Sequence, residues 1–239
     1  MLIGMIRAFA LACVFAFSLS SVSASVLQSN LNDWAFNIDG EVSEFFAGDL
    51  LPGSGDLDSE TGMGVLGFEF DSAGTHSLTA FLDFDFASNR NTFFNEYGAT
   101  NNGEPASGQT WQIDEPGFVF GSIYDNVLAG ALNNANTVPE SAPEDVSFAL
   151  AWDFELLSGE SALLSLFTSE LAPQDSFYLS HTDPQMGSAF DESQSIYFWG
   201  DLDITGAPVS VPEPSSLLLL MAGLALLTLV RRRAGELLS

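Results

Sequence analysis

Through the middle of this 239-residue chain the apolar positions recur at every second residue. Leu78, Ala80, Leu82, Phe84 and Phe86 alternate with Thr79, Phe81, Asp83 and Asp85. Phe148, Leu150, Trp152, Phe154 and Leu156 alternate with Ala149, Ala151, Asp153 and Glu155. Shorter runs repeat the pattern at Trp34, Phe36 and Ile38, at Leu66, Phe68 and Phe70, at Phe177 and Leu179, at Ile196 and Phe198, and at Leu202 and Ile204. Successive side chains of a strand point to opposite faces, so this period predicts strands with one buried and one wet face, the habit of antiparallel sheet. Clusters of Gly, Asn, Asp, Ser and Pro punctuate the runs, notably at 52–56 and 101–105,.

Ser158-Gly159 predicts a turn that folds the strand Phe148–Leu156 back onto Ala162–Thr168 as a hairpin,. Ile123 and Val127, four residues apart, predict a short helix,. Leu163, Leu164 and Phe167 also fit a helix over 161–171, but the strand reading is preferred because the preceding strand needs a partner. Pro139 and Pro143 mark 138–145 as a loop, not a domain boundary. Together these elements predict an all-β fold, an antiparallel two-sheet β-sandwich of jelly-roll-like kind with about eight to ten strands.

The two ends break the pattern. Residues 1–24 read as a secretory signal peptide: Arg7, an apolar core from Ala8 to Phe17, then small residues that favour cleavage between Ala24 and Ser25,. The single cysteine, Cys13, falls inside this segment, so the mature chain is expected to lack disulfides, thiol catalysis and cysteine zinc sites,. Near the other end stand Val211, Pro212, Glu213 and Pro214, then an uncharged run from Ser215 to Val230, then Arg231, Arg232 and Arg233. The run is about 16 residues, or about 24 Å as a helix, the short end of a transmembrane span. The arginine cluster is expected to stay cytoplasmic and leave the N-terminal side outside. The prolines forbid regular helix just before the span and present a stiff, extended tetrapeptide at the outer membrane face. The organisation expected is a signal peptide at 1–24, an ectodomain at 25–207 and a sorting region at 208–239.

This tail, with its Pro212-Glu213-Pro214 core, apolar span and Arg231–Arg233 cluster, resembles the PEP-CTERM sorting signal of Gram-negative bacteria that secrete exopolysaccharide. The resemblance covers about the last 30 residues and departs from the pattern in the somewhat long tail after the arginines. It implies recognition by exosortase, a membrane transpeptidase-like cysteine protease, after export by the secretion machinery. The product is then released or re-attached at the cell surface or extracellular matrix, in company with exopolysaccharide. Before processing, the C-terminal helix would hold the chain in the inner membrane. A looser resemblance, over Val146–Phe154, Leu157–Glu160, Phe177–Ser180 and Ile196–Phe198, is to an ectodomain type carried by such proteins, and it brings no known activity.

Charge narrows the partners. Thirty of the 32 Asp and Glu residues lie between the two signals, where Arg90 is the sole Lys or Arg. Nucleic acid and anionic lipid surfaces are excluded as electrostatic partners, since both require Lys or Arg. The many apolar residues, 21 phenylalanines among them, separate the chain from disordered acidic tails,.

Chemistry is sparse. His76 and His181 stand beside turn residues with no third ligand marked, and they read as loop histidines,. No Gly-x-Ser-x-Gly elbow is present, and the mature chain has no Lys or Cys nucleophile,. Asp/Glu pairs are abundant without one being singled out, so the expectation is no enzyme, with a hydrolase using such a pair as the rival. No cofactor is expected apart from calcium: Asp56, Asp58 and Glu60 place oxygen ligands at alternate positions of a Gly-flanked loop that is not an EF-hand,. Asp83 and Asp85, by contrast, read as the wet side of a strand. Of the four tryptophans, Trp152 is expected in the core, and Trp111 and Trp199 are candidates for exposed sugar-stacking platforms,. The expected function is therefore a non-enzymatic structural or adhesive ectodomain on an exported surface protein.

Overall fold

The computed structural model describes residues 29–86, 93–101, 103–184 and 193–206. The signal peptide with Ala24 and Ser25, Arg90, the Val211–Pro214 motif, the apolar span and Arg231–Arg233 lie outside the described residues. Among the described residues no helix is long and apolar enough to cross a membrane.

Strands are numbered along the chain. One six-stranded sheet has the order β2 (Glu41–Glu44), β1 (Ser29–Ile38), β5 (Gly74–Phe86), β9 (Ser147–Leu156), β7 (Gln109–Asp114), β8 (Ala135–Asn136). The other has the order β3 (Ser54–Gly55), β4 (Gly64–Phe70), β10 (Ser161–Ser169), β12 (Gln194–Thr205), β11 (Tyr178–Asp183), β6 (Tyr97–Thr100). Apart from the parallel contact of β7 with β8, the strand pairs are antiparallel.

The predicted alternation builds the core. Trp34 and Phe36, Leu78 to Phe86 at even positions, and Phe148 to Trp152 at even positions project from the first sheet. They meet Leu66, Phe68, Leu164, Leu166, Ile196 and Phe198 of the second. Phe148 stacks on Phe198 across the sheets, ring centroids 5.2 Å apart. Trp152 is buried as predicted, and its indole fills the space over Gly200, where an added Cβ would stand 2.4 Å from Cη2. The two short runs around Ile196 and Leu202 prove to be one strand, β12.

Two expectations are corrected. The turn at Ser158-Gly159 forms, with Glu160 N donating to Leu157 O at 3.0 Å and Gly159 at φ +88°, yet it closes no hairpin. Strand β9 pairs with β5 and β7, and β10 pairs with β4 and β12. Both edges of β9 are thus occupied, and the turn is an arch that carries the chain from one sheet to the other. Strand β10 is a strand as expected, but its partners are not the one that motivated the reading.

The second correction concerns the outer face of the first sheet. The second sheet does have one wet face, as the alternating burial along β10 shows. The first is covered over part of its outer face, because helix α1 (Ile123–Leu128) lies across it, while Asp85, Asp153 and Glu155 stay exposed. Ile123 and Val127, the predicted helical pair, pack on Ala35, Phe81 and Ala149 in a second apolar cluster. Burying two such side chains contributes about 1.5–3 kcal/mol each. Asn37 Nδ2 donates to Leu128 O at 2.8 Å and Val127 O at 3.3 Å, satisfying helix-end carbonyls and tying the cap to β1,. The small or apolar outward residues Ala35, Phe81, Ala149 and Ala151 are what admit this third layer.

Candidate functional site

Asp56, Asp58 and Glu60 are exposed, and the Asp58 carboxylate is turned inward on the loop itself. Asp58 Oδ1 accepts the amides of Glu60 at 2.9 Å and Thr61 at 2.8 Å, which holds the Asp58 carboxyl below its ordinary range. Among the described residues no three His, Cys, Asp or Glu side chains converge as a metal cage. Trp199 does reach the outer face of the second sheet, but it stacks on Phe167 at 5.1 Å with the rings 10° apart, so the two rings cover each other's faces. Trp111 leans on Phe177 at 6.1 Å. Both tryptophans are half-buried, each leaning on one aromatic neighbour.

Both histidines are strand residues, not loop residues, and the fold keeps them apart. His76 on β5 is held by Asp39 Oδ2 and Ser72 O, each at 2.8 Å, which raises its pKa. His181 on β11 is fully buried, its Nε2 2.6 Å from Oε2 of the equally buried Glu96, while its Nδ1 has no hydrogen-bond partner. Phe86 meets the imidazole edge-on at 4.8 Å. Sequence reasoning missed this pair because Glu96 and His181 are 85 residues apart and meet only through the pairing of β6 with β11.

The same end of the molecule gathers acids. Across the first sheet one register row reads Asp33, Asp83, Ser147, Asp114, on strands β1, β5, β9 and β7, and all four are buried. The expectation of a wet Asp83 fails here, since the row lies on the covered outer face; Asp85 is exposed as expected. Asp114 is fully satisfied. It accepts from Ser122 N at 2.8 Å, Ser122 Oγ at 3.1 Å, Gln112 Nε2 at 3.0 Å, Glu115 N at 3.0 Å and the Thr137 hydroxyl. It thereby clamps both ends of the loop 115–122 to the sheet. Asp83 receives only Asn32 Nδ2 at 3.2 Å, from the residue bulged out of β1, and burial drives its carboxyl well above the ordinary range. Asp33 Oδ1 accepts the Trp34 amide at 2.7 Å, Oδ2 has no partner, and burial pushes its pKa up to about 6.

Beside this row the clamped loop forms a groove of about 300 Å³, lined by Phe94, Phe118, Val119, Phe120, Pro116, Gly117, Glu115 and Asp145. Gly121 lets the loop turn: it stands at φ +84°, and an added Cβ would fall 2.2 Å from Glu115 O. Phe118 is braced by Tyr124 at 5.3 Å and Phe46 at 5.4 Å, and Tyr124 in turn donates to Glu44 Oε2 at 2.5 Å. The rim is open to solvent, with Phe118 50%, Phe120 66% and Val119 81% exposed. Burial, then the neighbouring Glu96 carboxylate, raises Asp145 to about 6, against an opposing pull from His181. Glu115 is raised by burial and by Glu144 and Asp114. The described residues include no Lys or Arg, and His181 is the one basic group acting on Asp145 among them.

Downstream of the sheets, residues 210–234 match the family model of the PEP-CTERM protein-sorting motif. The chain thus carries the sorting signal of an exported, exosortase-processed protein of Gram-negative bacteria. No curated protein and no solved structure matches the chain.

Proposed function

We propose that this PEP-CTERM protein is exported, cut by exosortase at the Val211–Pro214 region, and deployed at the cell surface or in the extracellular matrix. There its jelly-roll-like β-sandwich acts as a non-enzymatic structural or adhesive module among exopolysaccharide. The observation that carries the reading is the sorting motif at 210–234, placed just after the last strand, which ends at Thr205. Everything described upstream is then cargo. Two buried polar clusters have structural work that fits this role: Asp114 clamps a loop, and Glu96 pairs with His181 in the core.

The rival reading, a hydrolase, has one observation in its favour, since Glu115 and Asp145 share a groove. An acid–base pair needs environments that push the two pKa values apart. Here burial and like charges push both upward, so their environments do not separate them into an acid and a base. That favours holding a ligand over cleaving one. The test is replacement of Pro212, Glu213 and Pro214 by alanine in the native host. The sorted protein is expected to accumulate uncleaved in the inner membrane; unchanged delivery to the surface or medium overturns the reading.

A further inference from the structure

We propose that the groove framed by Phe94, Phe118 and Phe120 binds protonated amino groups of a glucosamine-type polysaccharide, with Glu115 and Asp145 as the anionic partners. The source of the ligand rests on the matrix reading above; the site rests on its own geometry. Its base offers two carboxyls and its rim offers exposed phenyl rings, the two features that together hold an organic ammonium by ion pairing and by attraction to ring faces,.

Charge selects the occupant. Among the described residues Asp145 sits beside Glu96, Asp85 and Glu115 with His181 as the opposing charge, so the groove is net acidic and favours a cationic occupant. An anionic glycan is repelled, and a neutral one leaves both carboxyls without compensation for their loss of water. A divalent ion fits poorly, because it demands six or more oxygen ligands and the remaining wall is phenyl, valine and proline,. A peptide bearing lysine would seek a strand edge for its backbone, whereas this rim is a loop whose Gly117 amide already donates to Phe120 O at 2.8 Å,. A volume of about 300 Å³, at the small end of ligand sites, suits one or two sugar rings on a longer chain,.

The experiment is calorimetric titration of the full chain in neutral detergent with a glucosamine hexasaccharide. Its N-acetylated counterpart, a glucose hexasaccharide, a lysine-rich peptide and calcium serve as parallel arms. Binding of the glucosamine oligomer is expected to weaken with salt and to fall at least about tenfold on acetylation. Asp145→Asn and Phe120→Ala should each lose about tenfold without a fall in Tm, Phe120 being chosen because its side chain is largely exposed,. Equal binding of the acetylated or glucose oligomer, binding indifferent to both variants, binding of only the peptide or calcium, or no binding at all overturns the proposal. Sorting is untouched by any of these results, so failure here and failure of the matrix reading are separately visible.

Discussion

Replacing Asp33 by asparagine measures what the buried aspartate row costs the fold. Asp33 is fully buried, one oxygen holds the Trp34 amide at 2.7 Å, and the other has no partner. Burial lifts its pKa from 3.8 to about 6, so the folded chain holds this proton more tightly than the unfolded chain does. The contribution is nil below pH 3.8, turns unfavourable as the pH climbs, and levels off above about pH 6,. A rise of about two units corresponds to about 3 kcal/mol of lost stability, an upper bound because relaxation and water entry relieve part of it. Asp33→Asn keeps the acceptor for Trp34 and carries no charge at any pH. It is expected to be about 1–3 kcal/mol more stable than wild type at neutral pH and about equal to it in acid, where both side chains are neutral. Urea denaturation at a series of pH values reads the difference, with coincident probes checking two-state behaviour. A gain that steps up between about pH 4 and pH 6 is the signature. A variant that is less stable at every pH, or a difference that is flat with pH, refutes the reasoning.

Three further outcomes follow from the core and the loops. His181→Ala removes the partner 2.6 Å from the buried Glu96 and is expected to cost about 3–5 kcal/mol by denaturant midpoint; a loss below about 1 kcal/mol contradicts the pairing,. Gly200→Ala drives a methyl to 2.4 Å from the Trp152 indole, so a loss of about 1–3 kcal/mol and a shifted tryptophan emission are expected, and a neutral result contradicts the packing,. Asp58→Ala frees two loop amides and should lower stability at neutral pH. Because that carboxyl is held below its ordinary range, the effect should fade as pH falls through it, and a loss that persists in strong acid contradicts the turn,.

The strands were legible because side-chain alternation is local: Leu78 to Phe86 and Phe148 to Leu156 announce both their backbone and their inner face. The helix at Ile123 was legible for the same reason, from a single i, i+4 pair. What the alternation does not carry is the partner of each strand. A turn after Leu156 serves equally for a hairpin or an arch, and the choice depends on β5 and β7 already flanking β9. The wetness of Asp83 failed likewise, because whether an outward position meets water depends on what distant segments lay over the sheet, here the bulged Asn32 and the approach of Asp145. The signal in hindsight was Phe81 with Ala149 and Ala151, outward positions too apolar for an open face. The groove was illegible until the loop 115–122 was seen clamped by Asp114, since Glu115 and Asp145 are brought together by β7 lying beside β9. The sorting tail, by contrast, is a linear signal and was readable without any fold.

The most direct test of the central claim is intact-mass spectrometry of the protein recovered from membranes and from culture medium of the native host. A product that begins at Ser25 and ends near Val211–Pro214 is the predicted result, and makes the sandwich delivered cargo. A surface product that still carries Arg231, Arg232 and Arg233 contradicts it, and leaves a protein held by a permanent C-terminal anchor.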